Sequence, residues 1–452
     1  MGLPRRARRT PRTRSNFGFW ISGCGLDFRT CLCALCALCG ELFFSPTDVV
    51  AAPQEVVPVD RAAFLGELES IGADGRVTFQ LPDEKDKRAR VRSFPLTEMV
   101  RWGNPAPPRA QTIVVLVDGG RIVMAADWAG GATLKLAGGD LVLVSDIFDE
   151  VRLPRGLVSG IVFAQQRRAD DREKLVAKVG GEVAPKDTAD AVLLTNGDRL
   201  TGKLVELDRG ALAIETRGGV VKAPLSRVEA IVFGGDRLRE GVGAPPSGGS
   251  PRSKGKYLIG LRDGSLVSAN AVRADEKSVD VELANGVKVK GNAASDIVAV
   301  QLLEGPVIYL SDLDRADYRA VPYLSVKWPF TRDRDVLGEP IVVRGHRYPK
   351  GIGLHSAARL TYRLDGDYRR FDSSVAIDDS AKGRGSVTFG VYTLRDGKWA
   401  EAFKSGIVRG NEAPQPVSVD LRGAKGLTLT VDFADRGDEL DHAVWLDARL
   451  VR

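Results

Sequence analysis

Apolar and polar residues alternate along several stretches of the last 150 or so residues of the chain. In GLTLTVDF, residues 426–433, every second side chain is apolar, and the same period of two recurs in FDSSVAID, residues 371–378, and in GSVTFGVYTL, residues 385–394. Successive side chains of a β-strand point to opposite faces, so a period of two indicates strands with one buried face. The density of such strands predicts an antiparallel β-sandwich over residues 303–452.

Residues 60–302 repeat a shorter unit of alternating strands. Clear copies begin near Thr112, Val192 and Tyr257, and a degenerate one begins near Phe64. Each clear copy contains Asn-Gly or Asp-Gly, the strongest local signal for a tight hairpin. The pattern predicts small SH3-like β-barrel modules: one or two over 60–163, one over 191–234 and one over 257–302.

Two segments between these units have a different composition. Residues 164–190 are highly charged and include the one stretch expected to be helical, which the sequence favours as a surface spacer over a partner-binding helix. Residues 235–256 are rich in Gly, Pro and Ser, which is typical of a flexible linker.

The first 52 residues account for two totals that would otherwise suggest nucleic acid or metal binding. The 452-residue chain has a formal net charge of +6 and five Cys, all five between Cys24 and Cys39. An Arg-rich start, the short apolar run CLCALCALCG and small residues near Ala52 predict a secretory signal over residues 1–52. The competing interpretation is a metal cluster of the thiols, but Leu and Ala fill the spacing and no His accompanies them.

Without the predicted signal, the rest of the chain has neither the basic net charge nor the cysteines. Residues 1–52 contain seven Arg and three acidic residues, which leaves a formal net charge of +2 and no Cys on the remainder. A near-neutral chain lacks the electrostatic footprint of a nucleic-acid-binding protein. We therefore expect a secreted, periplasmic or cell-surface protein with no disulfide, no nucleic-acid partner and no membrane span after processing.

The C-terminal region carries a long motif that resembles a known family. The matching stretches are VIYLSDL, residues 307–313, the segment 327–379 around GHRYPKGIGLHS and its final Ile-Asp-Asp, GSVTFGVY, residues 385–392, and DHAVWLDARL, residues 441–450. They resemble the NPCBM family of carbohydrate-binding modules, which accompanies glycoside hydrolase family 98 catalytic domains and is related to carbohydrate-binding module family 51. The resemblance implies a galactose-binding-like jelly roll, and it makes glycans the expected ligand class. Ala376, Val444 and Leu446 depart from the family pattern.

Five residues of this region are candidates for sugar binding. Beyond Gly353, even-numbered positions are apolar and odd-numbered ones polar, so His355 should point away from the core. Its imidazole could bond sugar hydroxyls or, equally, pin the loop of residues 351–353. The full set of candidates is Trp328, Tyr348, His355, Asp378 and Trp399. Trp328 could be a sugar platform or a core aromatic, with core favoured; Tyr348 is expected to be exposed; and Trp399 could stack on a ligand or pack on the surface.

Calcium and catalysis are the remaining chemical hypotheses. Related jelly rolls often hold a structural Ca²⁺, and Ser311, Asp312 and Asp447 are the candidate ligands, although no contiguous calcium loop is present. No sequence motif of a hydrolase nucleophile, zinc protease or phosphate loop occurs, and adjacent Asp378 and Asp379 should face opposite ways, unlike a glycosidase pair. We therefore expect no enzymatic activity.

Two functions remain from the sequence. The first is an exported glycan-binding protein whose sandwich binds a glycan, with galactose-containing glycans as the first candidates and the β-modules as spacers. The second is an envelope scaffold whose β-modules bind a protein partner while the sandwich has lost its sugar. The aromatic and His residues of the sandwich favour the first function, and the substitutions beside Trp445 favour the second.

Overall fold

The computed structural model describes residues 53–82, 90–125, 134–164, 169–182, 189–208, 210–234, 255–313, 317–321, 323, 326–435 and 437–452. The predicted secretory signal, residues 1–52, and residues 235–254 of the predicted linker lie outside the described residues. Within the described part the chain is almost entirely β-structure with one short α-helix, as the alternating patterns predict. No helix in the described part is long and apolar enough to span a membrane.

The N-terminal half contains four β-units, and in each a short 3₁₀ turn precedes the last strand. The first unit contains β1 (Gln54–Pro58), β2 (Phe64–Ile71), β3 (Arg76–Leu81), β4 (Arg90–Pro95) and β5 (Met99–Gly103). The second contains β6 (Ile113–Leu116), β7 (Arg121–Val123), β8 (Lys135–Ala137), β9 (Asp140–Val144), β10 (Glu150–Pro154) and β11 (Val158–Val162).

The third unit contains β12 (Asp190–Leu194), β13 (Arg199–Asp208), β14 (Ala211–Thr216), β15 (Gly219–Pro224) and β16 (Val228–Val232). The fourth contains β17 (Tyr257–Leu261), β18 (Leu266–Ala274), β19 (Val279–Leu283), β20 (Lys288–Gly291) and β21 (Ile297–Leu302). The Asn-Gly and Asp-Gly turns form as predicted, because Gly119, Gly197 and Gly264 adopt the positive φ that glycine tolerates. The SH3-like identity of the units stays a prediction.

The β-units are joined to one another by strand pairing. Strand β5 of the first unit pairs with β21 of the fourth, and β11 of the second pairs with β16 of the third. Because these pairs are backbone ladders, the units are hydrogen-bonded neighbours and not beads on a flexible string.

Helix α1 (Ala169–Ala177) lies in the predicted charged segment and continues into a π turn, Lys178–Glu182. Leu175 and Val179 are buried against Ile113 and Val162 of the second unit and Val232 of the third. The helix is therefore packed on the β-units, because two apolar side chains one turn apart dock an otherwise charged segment. Its role as a surface spacer stays a prediction.

The C-terminal region is the predicted β-sandwich. Its strands are β22 (Val307–Tyr309), β23 (Asp317–Ala320), β24 (Thr331–Arg332), β25 (Ile341–Val343), β26 (His346–Tyr348), β27 (Gly351–Leu354), β28 (Ala358–Arg363), β29 (Arg370–Ile377), β30 (Ser386–Arg395), β31 (Lys398–Lys404), β32 (Val408–Arg409), β33 (Gln415–Asp420), β34 (Gly426–Phe433) and β35 (Ala443–Val451). One sheet has the order β24-β27-β35-β29-β33 with β22 beside β35. The facing sheet has the order β23-β28-β34-β30-β31 with β32 beside β30.

The sandwich core lies between these two sheets. Leu360 and Tyr362 of β28, on the predicted apolar face, are buried opposite Phe371 and Trp445. Trp445 is fully buried with its ring edge-on to Phe389, the centroids 5.2 Å apart. It is thus a core residue of the sandwich.

Candidate functional site

Three neighbouring strand ends meet at one edge of the sandwich. Strands β27 and β29 both end opposite Ala443, the first residue of β35. His355 directly follows β27, Asp378 directly follows β29 and His442 directly precedes β35, and the N–H of Asp378 donates to the carbonyl of His442 at 2.9 Å. The register of three strands therefore gathers residues that are far apart in the sequence.

An aromatic stack covers this edge. The ring of Trp328 lies flat on the imidazole of His355, with centroids 4.6 Å apart and planes 6° apart. His442 is tilted against both rings, at 6.3 Å from Trp328 and 6.2 Å from His355. Trp328 is half-buried and lies outside the sandwich core cluster, so the core interpretation favoured from the sequence is wrong.

The two imidazoles are held in place through their Nδ1 atoms. Nδ1 of His355 lies 3.0 Å from the carbonyl oxygen of Ser356, and Nδ1 of His442 lies 2.9 Å from the hydroxyl of Ser380. Neither Nε2 atom has a hydrogen-bond partner among the described residues. His355 is 3% exposed, yet it packs under Trp328 and not in the core cluster, and its bond runs to the next residue, not to residues 351–353.

The buried carboxylate of Asp335 lies close enough to His442 to act on its charge. Oδ1 of Asp335 accepts hydrogen bonds from the N–H groups of Leu337 and Glu339, while its buried Oδ2 has no partner among the described residues. Burial and the neighbouring His355 lower the pKa of His442, although the charge of Asp335 opposes this shift. His442 is therefore neutral at neutral pH, able both to donate and to accept a hydrogen bond.

Asp378 and Asp379 hold the β25–β26 hairpin against the site. Asp378 accepts from the N–H groups of Val342 and Ser380 at 2.8 Å each. Asp379 accepts from those of Arg344 and Gly345, also at 2.8 Å. Burial raises the pKa of Asp378 to about 6 in spite of its two hydrogen bonds. Both carboxylates are thus engaged by the backbone, which is a positioning role.

The Gly-Ile-Gly motif has a steric basis. A Cβ atom on Gly353 would lie 2.7 Å from the carbonyl oxygen of Arg334, and one on Gly351 would lie 2.8 Å from that of Trp445. Strand β27 therefore runs too close to its neighbours for any side chain at these two positions. This close approach places the following His355 directly beneath Trp328.

Tyr348 does not belong to this site, and its predicted exposure is wrong. It is 8% exposed, and the guanidinium of Arg101 lies 5.2 Å above its ring centroid. Burial raises the pKa of Tyr348 to about 12. Its basic neighbours in the sequence suggest a surface loop, but Arg101 of the first β-unit covers it.

Trp399 is exposed, as the sequence allows, but at the other end of the sandwich. It pairs with Leu394, which lies opposite Gly426 at the start of β34. Ala358, three residues after His355, lies opposite Val431, which is five residues further along β34, or roughly 16 Å from Gly426. Trp399 packs over Gly426 and is not part of the aromatic stack.

The three candidate calcium ligands do not form a metal site. Lys350 lies 2.8 Å from Asp312, and Arg101 lies 2.9 Å from Asp447, so both carboxylates already face cations. The hydroxyl of Ser311 is buried without a partner among the described residues. No cluster of three or more metal-binding side chains occurs in the described part of the chain.

His442, Asp335 and Ser380 are site residues that the sequence reasoning did not select. His442 has one usable signal, its position directly before the strongly apolar last strand. Asp335 and Ser380 have none, because a polar residue in a turn is ordinarily a surface residue.

Comparison with known proteins identifies the sandwich. The family model of the NPCBM/NEW2 domain matches residues 307–451. The sandwich is an NPCBM/NEW2 domain. The resemblance read from the sequence is thereby confirmed, and the match covers the aromatic stack and every strand from β22 to β35.

Similar proteins match about a quarter to a third of this chain. A protein of Renibacterium salmoninarum named "Putative endo-alpha-N-acetylgalactosaminidase" is 31% identical over 114 residues, which cover 25% of this chain and 7% of that protein. "Alpha-1,3-galactosidase B" of Akkermansia muciniphila is 29% identical over 119 residues, which cover 25% of this chain and 14% of the relative. A solved structure, CBM51 from Clostridium perfringens GH95 in complex with methyl-galactose, is 27% identical and covers 32% of this chain and 99% of its own, with a TM-score of 0.29. The chain thus spans a small fraction of the curated relatives that it matches.

Proposed function

We propose that this chain is an exported, non-catalytic carbohydrate-binding protein whose NPCBM/NEW2 domain binds a glycan at the Trp328–His355 stack. The observation that carries the proposal is the flat stacking of Trp328 on a buried, oriented imidazole at a convergence of strand ends. An aromatic ring offers a face for the C–H groups of a sugar, and the Nε2 atoms of His355 and His442 are available to its hydroxyls.

The carboxylates beside the stack support binding without hydrolysis. A glycosidase needs one carboxyl group as acid and a second as base or nucleophile, both directed at the glycosidic bond. Asp378 and Asp379 instead direct their oxygens at the N–H groups of the β25–β26 hairpin. One oxygen of Asp335 likewise accepts hydrogen bonds from two backbone N–H groups.

Galactose-type sugars are the ligand class to test first. The two curated relatives are named as a galactosidase and an N-acetylgalactosaminidase. The segment that each shares with this chain is about a quarter of this chain's length. Export is part of the proposal because a glycan-binding protein must reach its ligand outside the cell, and residues 1–52 have the composition of a secretory signal.

Titration calorimetry of the full chain with methyl-galactoside, followed by a glycan array, tests this function. We expect Trp328→Ala to weaken binding at least about tenfold, because a buried aromatic contact is worth roughly 1–3 kcal/mol. Trp399→Ala is the matched control: it removes another accessible Trp, at the far end of the sandwich, and should leave the affinity unchanged. EDTA should also have no effect, since Asp312 and Asp447 already face cations.

Three results would count against the proposal: no glycan bound on the array, equal loss from both Trp variants, or hydrolysis of a bound oligosaccharide. The first result, together with capture of a protein by the β-units, would favour the scaffold function.

A further inference from the structure

A second pair of aromatic rings lies exposed near the Trp328–His355 stack. Tyr323 stands edge-on to Phe433, with ring centroids 5.7 Å apart and planes 79° apart. The two side chains are 55% and 39% exposed, and a Cβ atom on Gly437 would lie 3.3 Å from the ring of Tyr323. Exposed clusters of large apolar groups commonly mark a contact surface. The pair is therefore a candidate for binding.

Strand register places Phe433 beside the aromatic stack. Ala358, at the start of β28, lies opposite Val431 of β34 in an antiparallel pair. His355 comes three residues before Ala358, and Phe433 comes two residues after Val431. Both therefore lie beyond the same end of this strand pair, by roughly 10 and 7 Å. Neighbouring strands are about 4.8 Å apart, so the two residues are close neighbours at this end of the sandwich.

The carboxylate of Asp441 connects the strands beneath the two aromatic groups. It is fully buried and accepts hydrogen bonds from the hydroxyl of Ser356 at 2.5 Å and from the N–H of Ser386 at 2.9 Å. Ser356 directly follows His355, and Ser386 directly precedes the residue that pairs with Phe433. Because a buried carboxylate is costly to leave unpaired, these bonds fix the spacing between the two groups.

One segment supplies the covering aromatic ring of each group. Val321 donates its N–H to the carbonyl of Ala357 at 2.9 Å, so the segment starts alongside β28. Tyr323 and Trp328 follow on this segment, five residues apart, and five residues span at most about 18 Å. Val326, between them, is 63% exposed. The segment therefore lays two aromatic side chains on two partners of fixed spacing.

The turn that follows β34 adds polar groups beside the ring pair. Asp435, two residues after Phe433, forms an ion pair with Arg409 at 2.6 Å. Glu439 forms one with Arg384 at 2.8 Å. All four side chains are about half exposed, so they offer hydrogen-bond donors and acceptors to a ligand. A sugar ring combines an apolar face of C–H groups with hydroxyls around its edge, and this surface matches both.

We propose that the Tyr323–Phe433 pair is a second sugar subsite, which takes the sugar unit next to the one at the Trp328–His355 stack. This inference rests on the proposed glycan-binding function and extends it from one ring to at least two linked rings. The occupant is a sugar of the same glycan because the pair is continuous with the stack: one segment supplies Tyr323 and Trp328, and Asp441 fixes the strands beneath both. The exposed rings of the pair offer apolar surface to the C–H groups of the second sugar.

Titration calorimetry of the full chain tests this subsite with one-ring and two-ring probes. Methyl-galactoside is the one-ring probe, and lactose, lacto-N-biose and melibiose are two-ring probes that end in galactose with three different linkages. We expect at least one two-ring probe to bind about tenfold more tightly than methyl-galactoside, because the second ring gains an aromatic contact.

Variants of Tyr323 assign this gain to the ring pair. Tyr323→Ala should remove the gain and leave methyl-galactoside binding unchanged, and Tyr323→Phe, which keeps the ring, should retain most of it. Tyr392→Ala is the matched control: Tyr392 is a half-buried tyrosine of β30 that lies opposite Thr428, five residues from the residue that pairs with Phe433. It should bind all four probes like the unaltered chain.

The outcomes separate this subsite from the glycan site itself. Binding of methyl-galactoside without a gain for any two-ring probe would overturn the second subsite and leave the glycan site standing. A gain that persists in Tyr323→Ala would do the same, and so would an equal loss of methyl-galactoside binding in that variant, because Tyr323 would then belong to the first subsite. Absence of binding by all four probes would count against both sites together.

Discussion

Arg101 of the first β-unit and Asp447 of the last sandwich strand form an ion pair, with Nε 2.9 Å from Oδ2 and side chains only 11% and 7% exposed. Gln301 of the fourth β-unit donates to the other oxygen of Asp447 at 2.7 Å. Val451 of the same strand packs into the core of the β-units. The β-units and the sandwich are therefore joined by a buried polar contact with an apolar contact beside it.

Loss of Arg101 should destabilise the whole described unit. Arg101→Ala leaves the carboxylate of Asp447 buried with only Gln301 to satisfy it, and breaking a buried pair in this way typically costs roughly 3–5 kcal/mol. Urea denaturation of the full chain measures the free energy of unfolding. Arg61→Ala is the control, because the Arg61–Glu98 pair is exposed and 3.9 Å long, and its loss should cost about 1 kcal/mol or less. Equal costs for both variants would contradict a buried junction.

Gly353→Ala should destabilise the fold far more than the addition of one methyl group suggests. In Gly353→Ala the new Cβ would meet the backbone of Arg334 and Asp335, which hold the turn behind His442. We expect a loss of about 3 kcal/mol in unfolding free energy, at the upper end of overpacking costs. Gly406→Ala is the matched control, because a Cβ there meets nothing within 4 Å, and its effect should stay within about 0.5 kcal/mol. A small effect at Gly353 would show that β27 can move away from its neighbours.

The all-β fold and part of the site could be predicted from the sequence because both depend on local patterns. Alternation marks strands, Asp-Gly marks turns, and the polar His355 at the end of an apolar strand marks an edge. The stack itself depends on Trp328 folding back over His355, a contact that no periodicity encodes. The role of Asp335 depends on burial by residues that are distant in the sequence.

The burial of Tyr348 is a second feature that the sequence could not predict. Its immediate neighbours are basic, which is typical of a surface loop, and the prediction of exposure followed from them. The side chain that buries it, Arg101, comes from a different β-unit. Contacts between units follow from how whole sheets pack, and a single sequence contains no local signal for them.

Asp378 should make the folded state less stable as the pH rises from about 4 to about 6. Its pKa is about 6 in the folded protein against an ordinary value of 3.8, so the folded state keeps a proton that the unfolded state has lost. Stability from this group is complete below about pH 4 and falls, by at most about 3 kcal/mol, until about pH 6.

The contribution of Asp378 is measured as the difference between the unaltered chain and Asp378→Asn in urea denaturation at pH 4 to 7. The asparagine does not ionise, so the difference between the two free energies should change across this interval. Asp379→Asn, at the neighbouring carboxylate, should leave the Asp378 contribution in place. A difference that does not vary with pH would show that Asp378 ionises freely in the folded state.

His346 should act in the opposite direction over an overlapping range. Burial, reinforced by the charge of Arg101, lowers the pKa of His346 from 6.5 to about 4. Above about pH 6.5 both folded and unfolded states hold a neutral imidazole, and the stability is complete. As the pH falls the unfolded state takes up the proton first, so stability is lost between about pH 6.5 and 4, by no more than about 3.5 kcal/mol.

The chain has three histidines, so imidazole proton resonances can be assigned by replacing each in turn. In an NMR titration of the full chain, the His346 signal should remain that of a neutral ring down to about pH 5. His346→Gln should remove the loss of stability that His346 causes at low pH. Arg101→Ala should raise the pKa of His346, because it removes a repelling positive charge and part of the side-chain surface that buries the imidazole. An ordinary midpoint near 6.5 in the unaltered chain would mean that water reaches the junction between the β-units and the sandwich, and it would contradict the buried Arg101–Asp447 contact as well.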